Sequence, residues 1–599
     1  MIRKDQKTTK DGRIKTHIRV VEGYRPGPGL PPKQRTIQSF GYLEDQDDPD
    51  AFMESVKEFD QHHRKGGVPL HMELPSTAKM YQESNRLQNY GVQFLAALYD
   101  SLHLDSWFRR KQKKSSFKGE YSPGDIFQFL VLQRILHPDS KRATCQGKNN
   151  LYGLPTDFTL PDLYRSLDFF AHHETDLQHH LHQHVKTLVG RDLSYAFYDV
   201  TNVYFSTDVP DDEGKLRQRG VSKEHRVDPI VEMGLFMDAQ GFPIHMALFP
   251  GNISESLTLH PMMQDVKKSY GMGRLIVVAD KGIHTSKNRE EIRNQGDGYV
   301  FSQILRGRKG ARYRERLLDA RAYQENREGT YRYQLFTEEH MGTDAQGHSV
   351  PRQQKVLLYW SQADALRTQQ KREEKLRRAQ KHIHNPVYGT AKGIHEYTRE
   401  DVLDAHTGEV ISKVKKIRHV DYQKAEEDAL LDGYSCLVTS ELDYDAHKIR
   451  EVYHELWKIE ESFRIVKSDL YVRPVYVWKQ EHIRAHFLIC FTALLVVRLL
   501  QYRMGSQALS AERIARALNA ANCRVLKNGI VHLLDVGGSI AFQKRRNSKG
   551  EEVDTLAYSH EDEIALDYKA IQESFGSHFY DMYPRQEQFN QFLKSLRRA

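Results

Sequence analysis

The stretch YHELWKIEESFRIVK, residues 453–467, divides its side chains between two sides of a helix. At about 100° per residue, one side is apolar, and it carries Val452, Leu456, Ile459, Phe463, Val466 and Leu470. The opposite side is centred on Glu460, and it carries Tyr453, Trp457, Glu460, Arg464 and Lys467. A lone carboxylate therefore lies among cations and aromatic rings, and the apolar side predicts that this helix packs on a core.

Two further acids lie in strand-like segments, Asp199 in YAFYDVT and Asp280 in LIVVADKG. Asp280 ends an apolar strand, which is where an α/β sheet opens its ligand crevice. Asp199 shares one side of its strand with Phe197 and Thr201. Either acid alone could equally cap a turn. An unpaired buried carboxylate is costly, so we expect metal or a cation to compensate both.

Composition limits the class of protein. A chain of 599 residues exceeds a single hydrophobic core. Its net charge of +8, with basic runs at 304–317, 369–384 and 543–551, favours a polyanionic partner. Four scattered cysteines predict neither zinc nor disulfides. Because no signal core is present and the most apolar run, 487–497, is too short to cross a bilayer, we expect a cytoplasmic protein without membrane contact.

Changes of pattern along the chain predict its organisation. Three meandering strands, then a helix and a buried strand, favour an α/β core of the ribonuclease H kind. We predict six regions: an N-terminal β-hairpin and arm (1–84), a helical DNA-binding domain (85–190), the first part of the RNase H-like core (191–305), a β-rich insertion domain (306–432), the second part of the core (433–505) and a helical C-terminal region (506–599).

The three acids in strand, strand and helix context indicate one chemistry. They are separated by 81 and 180 residues (199 to 280, then 280 to 460). Carboxylate oxygens suit Mg²⁺ or Mn²⁺, which retain waters and accept phosphate oxygens. Two such ions about 4 Å apart activate a nucleophile on one side of a phosphodiester and stabilise the leaving 3′ oxygen on the other. The nucleophile is then water or a DNA 3′-hydroxyl.

These residues resemble the DDE transposases of bacterial insertion sequences, in the IS-four-type superfamily. That superfamily has a Tyr-Arg-Glu-Lys signature on its Glu helix and a β-rich insertion before it. The resemblance covers residues 190–505, including the segments GVSKEHRVDPIVEMGLFMDAQGFPIHMALFPGNISES (220–256) and VVADKGIHTSKN (277–288). On the helix it is carried by Tyr453, Trp457, Ile459, Glu460, Phe463 and Lys467.

The resemblance implies a homodimer that binds double-stranded DNA at inverted-repeat ends, cuts the 3′ strand and joins it to target DNA. Asp199, Asp280 and Glu460 would be catalytic and hold two Mg²⁺ or Mn²⁺ ions. Tyr453 and Lys467 would hold the terminal phosphates of the DNA. The Arg of the signature is replaced by Leu456, on the apolar side of the helix, and we expect Arg464 to supply that phosphate contact.

Further candidate DNA contacts are Lys223, His225 and Arg226, a cationic cluster before a core strand, which as a plain loop would look the same. Trp360 ends the strand KVLLYW and could stack on a flipped base, with core packing as the alternative. Three other functions compete. A nuclease on this fold would not join DNA, a domesticated DNA-binding protein would need no acidic trio, and a glycosidase would not explain the cations around Glu460.

Overall fold

The structure is a computed structural model that describes residues 2–8, 14–24, 33–46, 48–64, 86–115, 119–224, 226–384, 397–403, 415–526, 529–534, 536, 541–546, 552–557, 560–577, 579 and 581–598. The chain divides into two compact units, Met1–Gln82 and Glu83–Ala599.

The first unit is an antiparallel sheet with one helix. Its elements are β1 (Ile2–Thr8), β2 (Ile14–Tyr24), β3 (Lys33–Tyr42) and α1 (Pro49–Arg64), and the strand order is β1-β2-β3. Ile18, Val20 and Val56 are buried between sheet and helix. The predicted hairpin is incomplete, because β1 reads IRKDQKT and its polar residues give no strand pattern. An ion pair from Arg19 to Asp5 helps hold β1 to β2.

The second unit begins with a helical region, as the periodicity predicted. After the short strand β4 (Gln88–Asn89) it contains α2 (Val92–Asp100), α3 (Leu104–Lys114), α4 (Pro123–Leu136), α5 (Lys141–Gln146), α6 (Leu160–His172) and α7 (Glu174–Val189). The hydroxyls of Ser122, Ser140 and Thr159 accept hydrogen bonds from first-turn backbone N–H groups of α4, α5 and α6. Gly190, with a φ of 62°, ends α7.

A mixed sheet follows, with its first strands in the predicted order. They are β5 (Ala196–Tyr204), β6 (Ile230–Asp238), β7 (Pro243–Pro250), β8 (Ile276–Ala279) and β9 (Gly298–Ser302), with α8 (Leu259–Tyr270) and α9 (Ser286–Asn294) between the later ones. β5, β6 and β7 pair antiparallel, whereas β5, β8 and β9 pair parallel. Helices cover both faces, so the fold is mixed α/β.

The residues between β9 and β15 correct the prediction of a mostly β insertion. They form α10 (Gly307–Leu318), β10 (Gln324–Glu325), β11 (Tyr331–Thr343), β12 (Ser349–Ser361), α11 (Gln362–His384), β13 (Thr398–Leu403), β14 (Lys415–Val420) and α12 (Tyr422–Ala429), and β15 is Tyr434–Thr439. Because Val356, Leu357 and Leu358 of β12 are all fully buried, that strand needs cover on both faces. It pairs with β15 and joins the nine-stranded sheet, in the order β10-β11-β12-β15-β9-β8-β5-β6-β7.

The predicted helix over 453–467 is interrupted in the structure. α13 (Ala446–His454) is followed by a turn at Glu455 and Leu456, then by α14 (Trp457–Arg464) and a π-helical turn over Ile465–Asp469. In that turn the Leu470 N–H donates to the Ile465 carbonyl oxygen at 2.8 Å. The helix thus gains an extra residue, a feature that is frequent at functional sites.

The next helix, α15 (Gln480–Met504), lies in the core. By length and composition alone, Gln480–Gln507 could cross a membrane, but 89% of its most apolar window is buried inside the protein. The remaining elements are α16 (Ala511–Ala520), β16 (Asn522–Val525), β17 (Val531–Leu533), β18 (Ala541–Arg546), β19 (Glu552–Ala557), α17 (His560–Ser574) and α18 (Gln586–Ser595). The C-terminal region is therefore mixed rather than purely helical, and β16 pairs with β4.

Candidate active site

Asp199 and Asp280 lie on two neighbouring parallel strands, Asp199 within β5 and Asp280 directly after β8. The β5–β8 register pairs Ala196 with Val277 and Phe197 with Val278, and two residues further along each strand lie Asp199 and Asp280. Side chains alternate along a strand, so both acids share the sheet face of Phe197 and Val278. That face packs in the same core cluster as residues of α14 and α15. The sequence predicted this meeting correctly for the two strand acids.

The Asp199 carboxylate lies in a negatively charged environment. Burial raises its pKa to about 6, and the nearby carboxylates of Glu255 and Asp280 act in the same direction. The Lys223 ammonium and a backbone hydrogen bond oppose them. That hydrogen bond runs from the Val200 N–H to Asp199 Oδ1 at 2.8 Å. A cation bound here would therefore be stabilised by Asp199.

Asp280 is held by directed hydrogen bonds. Its Oδ1 accepts from the Ser302 hydroxyl at 2.7 Å and from the Tyr453 hydroxyl at 3.0 Å. Burial, the largest single influence, raises the pKa of Asp280. Hydrogen bonds from Ser302, the Lys281 backbone and Tyr453 outweigh it and leave the pKa below its usual value. Tyr453, predicted to contact DNA phosphate, here orients Asp280 and joins α13 to the end of β8.

Two glutamates that the sequence reasoning missed lie beside the aspartates. Glu255 Oε1 pairs with Lys223 Nζ at 2.7 Å, and the same ammonium donates to the Val200 carbonyl oxygen at 2.7 Å. Glu232 on β6 is buried, and its Oε2 has no hydrogen-bond partner within the described part of the chain. Burial, reinforced by Glu255, raises the pKa of Glu232 to about 7. A charge inside the apolar run IVEMGLFM was the signal for Glu232.

Glu460 lies on α14, exposed to solvent, while Ile459 and Phe463 of the same helix are buried in the core. α14 contacts β5, the strand of Asp199. Seven residues before Glu460, Tyr453 reaches Asp280. Seven residues after it, Lys467 has its pKa lowered to about 8 by burial and by the Lys223 charge, against the pull of Glu232 and Asp199. The helical segment that carries Glu460 therefore spans the site from Asp280 to Glu232.

The three acids are not assembled as one ligand set in this structure. Over the ranges that the structure describes, no group of three His, Cys, Asp or Glu residues is close enough to hold a metal ion. Asp280 is close enough to Asp199 to act on its pKa, whereas Glu460 is exposed to solvent on α14.

The chain has Leu456 where the Tyr-Arg-Glu-Lys signature has Arg, and Arg464 is the predicted substitute. Leu456 is 6% exposed, which confirms its position on the apolar side. Arg464 is exposed and pairs with Asp469, Nη1 to Oδ2 at 3.5 Å. Its guanidinium is available to an incoming ligand, and its role as a phosphate contact stays a prediction.

The other predicted DNA contacts in the described residues have partners within the protein. Arg226 pairs with Asp228 at 3.1 Å, and its guanidinium lies 4.0 Å from the centroid of the Tyr204 ring. His225 lies outside the described residues. The Trp360 indole donates to the Asp432 carbonyl oxygen at 3.1 Å and lies 5.0 Å from the Arg332 guanidinium, so it has packing partners of its own.

Comparisons with known proteins matched two transposase family models. A family model described as a transposase DDE domain matches residues 214–496, and the model for the IS1634 family transposase N-terminal domain matches residues 2–68. Together the two segments cover more than half of the chain. No curated protein matches. A cryo-EM structure of a piggyBac transposase synaptic complex with hairpin DNA aligns at 8% identity and a TM-score of 0.33, covering 72% of this chain and 80% of that chain.

Proposed function

This chain belongs to the DDE transposases, and we propose that it cuts DNA at inverted-repeat ends and joins the freed 3′ ends to target DNA, using Asp199, Asp280 and Glu460. One observation carries the proposal. Asp199 and Asp280 follow neighbouring positions of the β5–β8 register, and the helical segment of Glu460 crosses above them. The match to an insertion-sequence N-terminal domain supports a bacterial insertion sequence as the source of the DNA ends.

We assign the catalytic core to the RNase H-like class. The strand order β7-β6-β5-β8-β9, with three antiparallel strands followed by two parallel ones, supports this assignment. The helices α8 and α9 form the connections to the parallel strands. In this arrangement Asp280 lies at the carboxyl end of β8, which is where ligands bind in such sheets, and Asp199 lies beside it within β5.

DDE transposases as a family depend on divalent metal. The donor set of this site fits a hard cation, since carboxylates crowd together and burial keeps Asp199 hard to ionise without a positive partner. We propose that Asp199, Asp280 and Glu460 hold two Mg²⁺ or Mn²⁺ ions. Bound there, the metal supplies a polarised phosphate and an activated water or 3′-hydroxyl. Assembly of the trio then requires Glu460 to approach the two aspartates.

Three residues around the acids, Tyr453, Lys223 and Lys467, have different roles in the proposed reaction. Tyr453 donates to Asp280 and fixes which carboxylate oxygen faces the crevice. Lys223 holds Glu255 and offsets the negative charge beside Asp199. Lys467, whose amine is partly desolvated, offers its proton-bearing nitrogen to a phosphate oxygen of the DNA strand.

We propose double-stranded DNA as the partner and a homodimer as the assembly that pairs two ends. DNA is the partner that the transposase family supports. The net charge of +8 and the exposed Arg464 beside Glu460 favour contact with its phosphates.

The test is incubation of the protein with labelled DNA that carries the inverted repeats flanking its own gene, together with a second duplex and Mg²⁺. We expect nicked ends and, after longer incubation, labelled 3′ ends joined to the second duplex. Omitting the metal with a chelator serves as the control. Cleavage without joining would replace the proposal with a nuclease, and absence of both reactions would overturn it.

The rate of DNA cleavage should increase with pH between about pH 5 and about pH 8. The pKa values of Asp199 and Glu232 are about 6 and about 7, because burial disfavours their ionised forms. A protonated Asp199 binds no cation, and protonation of Glu232 removes a negative charge beside the site, so activity is lost as pH falls through these values. A cation favours ionisation, so more Mg²⁺ should move the midpoint of the profile to lower pH. If the midpoint of the pH–rate profile did not change with Mg²⁺ concentration, this prediction would be contradicted.

Glu460→Gln should lower the rate of DNA cleavage and leave the stability of the protein nearly unchanged. Glu460 is exposed, so we expect the free energy of unfolding to change by no more than about 0.5 kcal/mol. Loss of one metal-binding carboxylate should lower the cleavage rate by about a hundredfold or more. Urea unfolding and the labelled-DNA assay measure the two effects.

The adjacent residue provides a matched control for Glu460→Gln. Glu461 Oε2 pairs with Arg498 Nη1 at 2.8 Å on the packed side of the helix. Glu461→Gln should therefore cost about 1–2 kcal/mol of stability and retain cleavage. If the two variants behaved alike, the assignment of Glu460 to the site would be wrong.

A further inference from the structure

A cavity of about 300 Å³ lies beside the segment that follows the Glu460 helix. Four basic and three aromatic side chains are in its wall, and we call it the basic pocket: Arg134, Lys141, Arg473, His486, Tyr164, Tyr471 and Tyr476. It draws residues from α4, α5, α6 and α15, all in the second unit. None of these residues was assigned a role above.

Lys141 has hydrogen-bonding capacity to spare. It is 4% exposed, and its ammonium contacts His486 Nδ1 at 3.3 Å. His486 Nε2 lies 3.0 Å from the Val472 carbonyl oxygen, so Nε2 donates there and Nδ1 accepts from Lys141. An ammonium has three donors, and this contact uses one. No carboxylate pairs with Lys141 anywhere in the described ranges.

Arg134 is buried beside Lys141, and the only carboxylate that acts on its charge among the described residues is that of Asp139, which also lies in the cavity wall. Its Nη2 donates to the Asp139 carbonyl oxygen at 2.9 Å, and its Nε is buried without a hydrogen-bond partner. The Asp139 side chain is exposed and accepts from the Ser140 N–H. Burial lowers the pKa of both Lys141 and Arg134. Two buried cations with at most one carboxylate near them are costly, and an anion in the cavity would offset that cost.

The mouth of the basic pocket is aromatic. Tyr471 and Tyr476 are 61% and 57% exposed, although each has a large ring that folding normally covers. Tyr471 also has a φ of 44°, in the left-handed region that a residue with a side chain seldom adopts. Strained residues of this kind cluster at ligand sites. The exposed rings offer stacking surfaces above the buried cations.

The basic pocket is connected to the acidic site by the chain itself. Arg473, in the cavity wall, forms an ion pair with Glu224, the residue after Lys223. The Val475 N–H donates to the Tyr204 carbonyl oxygen at 3.1 Å, at the end of the strand that carries Asp199. The segment that lines the basic pocket is therefore held against β5 and against the loop that carries Lys223.

We propose that the basic pocket binds one unstacked nucleotide of the DNA strand held at the acidic site, with its phosphate on Lys141 and Arg134 and its base against Tyr471. The proposal rests on the proposed function for the identity of the polymer. The chemistry of the pocket, a phosphate site beneath aromatic rings, does not depend on cleavage. Aromatic stacking tolerates any base, so recognition here is of an extruded nucleotide rather than of a sequence.

Lys141→Met tests the phosphate contact. Binding of a fluorescent single-stranded oligonucleotide, measured without metal over a range of salt, should weaken about tenfold, and the salt slope should fall by about 0.7. The melting temperature should rise or stay the same, because a buried uncompensated charge is replaced by an apolar chain of similar length. Lys215→Met, which removes an exposed lysine paired with Asp212, should change neither binding nor melting temperature.

Tyr471→Gly tests the stacking contact. Glycine relieves the left-handed strain, so the melting temperature should not fall, while oligonucleotide affinity should drop about tenfold. Inorganic phosphate and a mononucleotide are run as competitors, to distinguish a site for DNA from one for a free nucleotide.

Three outcomes would overturn the proposal. Lys141→Met could lower the melting temperature and leave binding intact, which would make Lys141 a structural cation. A mononucleotide could stabilise the protein without being displaced by the oligonucleotide, which would make the pocket a free-nucleotide site. Tyr471→Gly could leave affinity unchanged. Because binding is measured without metal, failure of DNA cleavage would leave these results standing and would count only against the proposed function.

Discussion

Replacing Asp280 with asparagine is expected to lower DNA cleavage and joining by about a thousandfold or more. A metal-bound carboxylate contributes several kcal/mol to the transition state, and each 1.4 kcal/mol is about tenfold in rate. Asparagine keeps the shape and can still accept hydrogen bonds from Ser302 and Tyr453, so the fold should persist. Single-turnover cleavage of labelled DNA in Mg²⁺ gives the rate.

A change at Tyr453, which donates a hydrogen bond to Asp280, should lower the cleavage rate less than a change at Asp280 itself. Tyr453→Phe removes the hydroxyl that orients Asp280 while the ring stays in place, and we expect a loss of about tenfold, far less than for Asp280→Asn. DNA binding in the absence of metal should be retained by Asp280→Asn. If Asp280→Asn cleaved DNA at the rate of the unmodified protein, the site would have to lie elsewhere.

Arg191→Met is expected to cause the largest loss of stability. Arg191 Nη1 and Asp238 Oδ2 form an ion pair at 2.8 Å with exposures of 1% and 0%. Arg191 Nη2 also donates to the Pro243 carbonyl oxygen at 2.8 Å. Removing the cation leaves Asp238 buried without its partner, which costs about 3–5 kcal/mol. Urea unfolding of the whole chain, followed by fluorescence, should show the midpoint at lower denaturant.

A double variant distinguishes an isolated charge from lost packing. Arg191→Met with Asp238→Leu removes both charges, and we expect it to regain much of the stability that Arg191→Met loses. The hairpin that this pair supports also accepts a hydrogen bond from Lys458, at the Ala239 carbonyl oxygen, and so holds α14. Arg191→Met should therefore also slow cleavage. No recovery in the double variant would mean that packing, rather than charge, dominates at this position.

The sequence predicted the parts of this molecule that depend on local pattern. Aromatic and β-branched residues predicted β5, a hairpin pattern predicted β6 and β7, and a continuous apolar run predicted β8. The rule for strand ends placed Asp280 at the crevice. The apolar side of the Glu460 helix was also correct, including Leu456. Each of these follows from residues within a few turns or strand positions of one another.

Features that depend on pairing between residues far apart in the chain could not be predicted from local sequence patterns. Glu232 meets the site because β6 pairs with β5 and places it opposite Asn202, a register that no local pattern encodes. Glu255 lies at the acidic site because it forms an ion pair with Lys223. β1 is too polar to show as a strand, and the choice of β15 as the partner of β12 joins residues far apart in the chain. Helical phase placed Glu460 on the side opposite the apolar residues, but it could not show that the three acids form no metal-ligand group within the described part of the chain.

The acidic site and the inserted strands belong to one sheet, so the inserted strands cannot be removed without exposing a strand of the core. β15 is paired with β9 on one side and with β12 on the other. A shortened protein without residues 306–432 would leave the backbone of β15 bare along one edge, a template for aggregation. The insertion therefore cannot be grafted between relatives as a detachable module. A chimera would have to carry β11, β12 and β15 together.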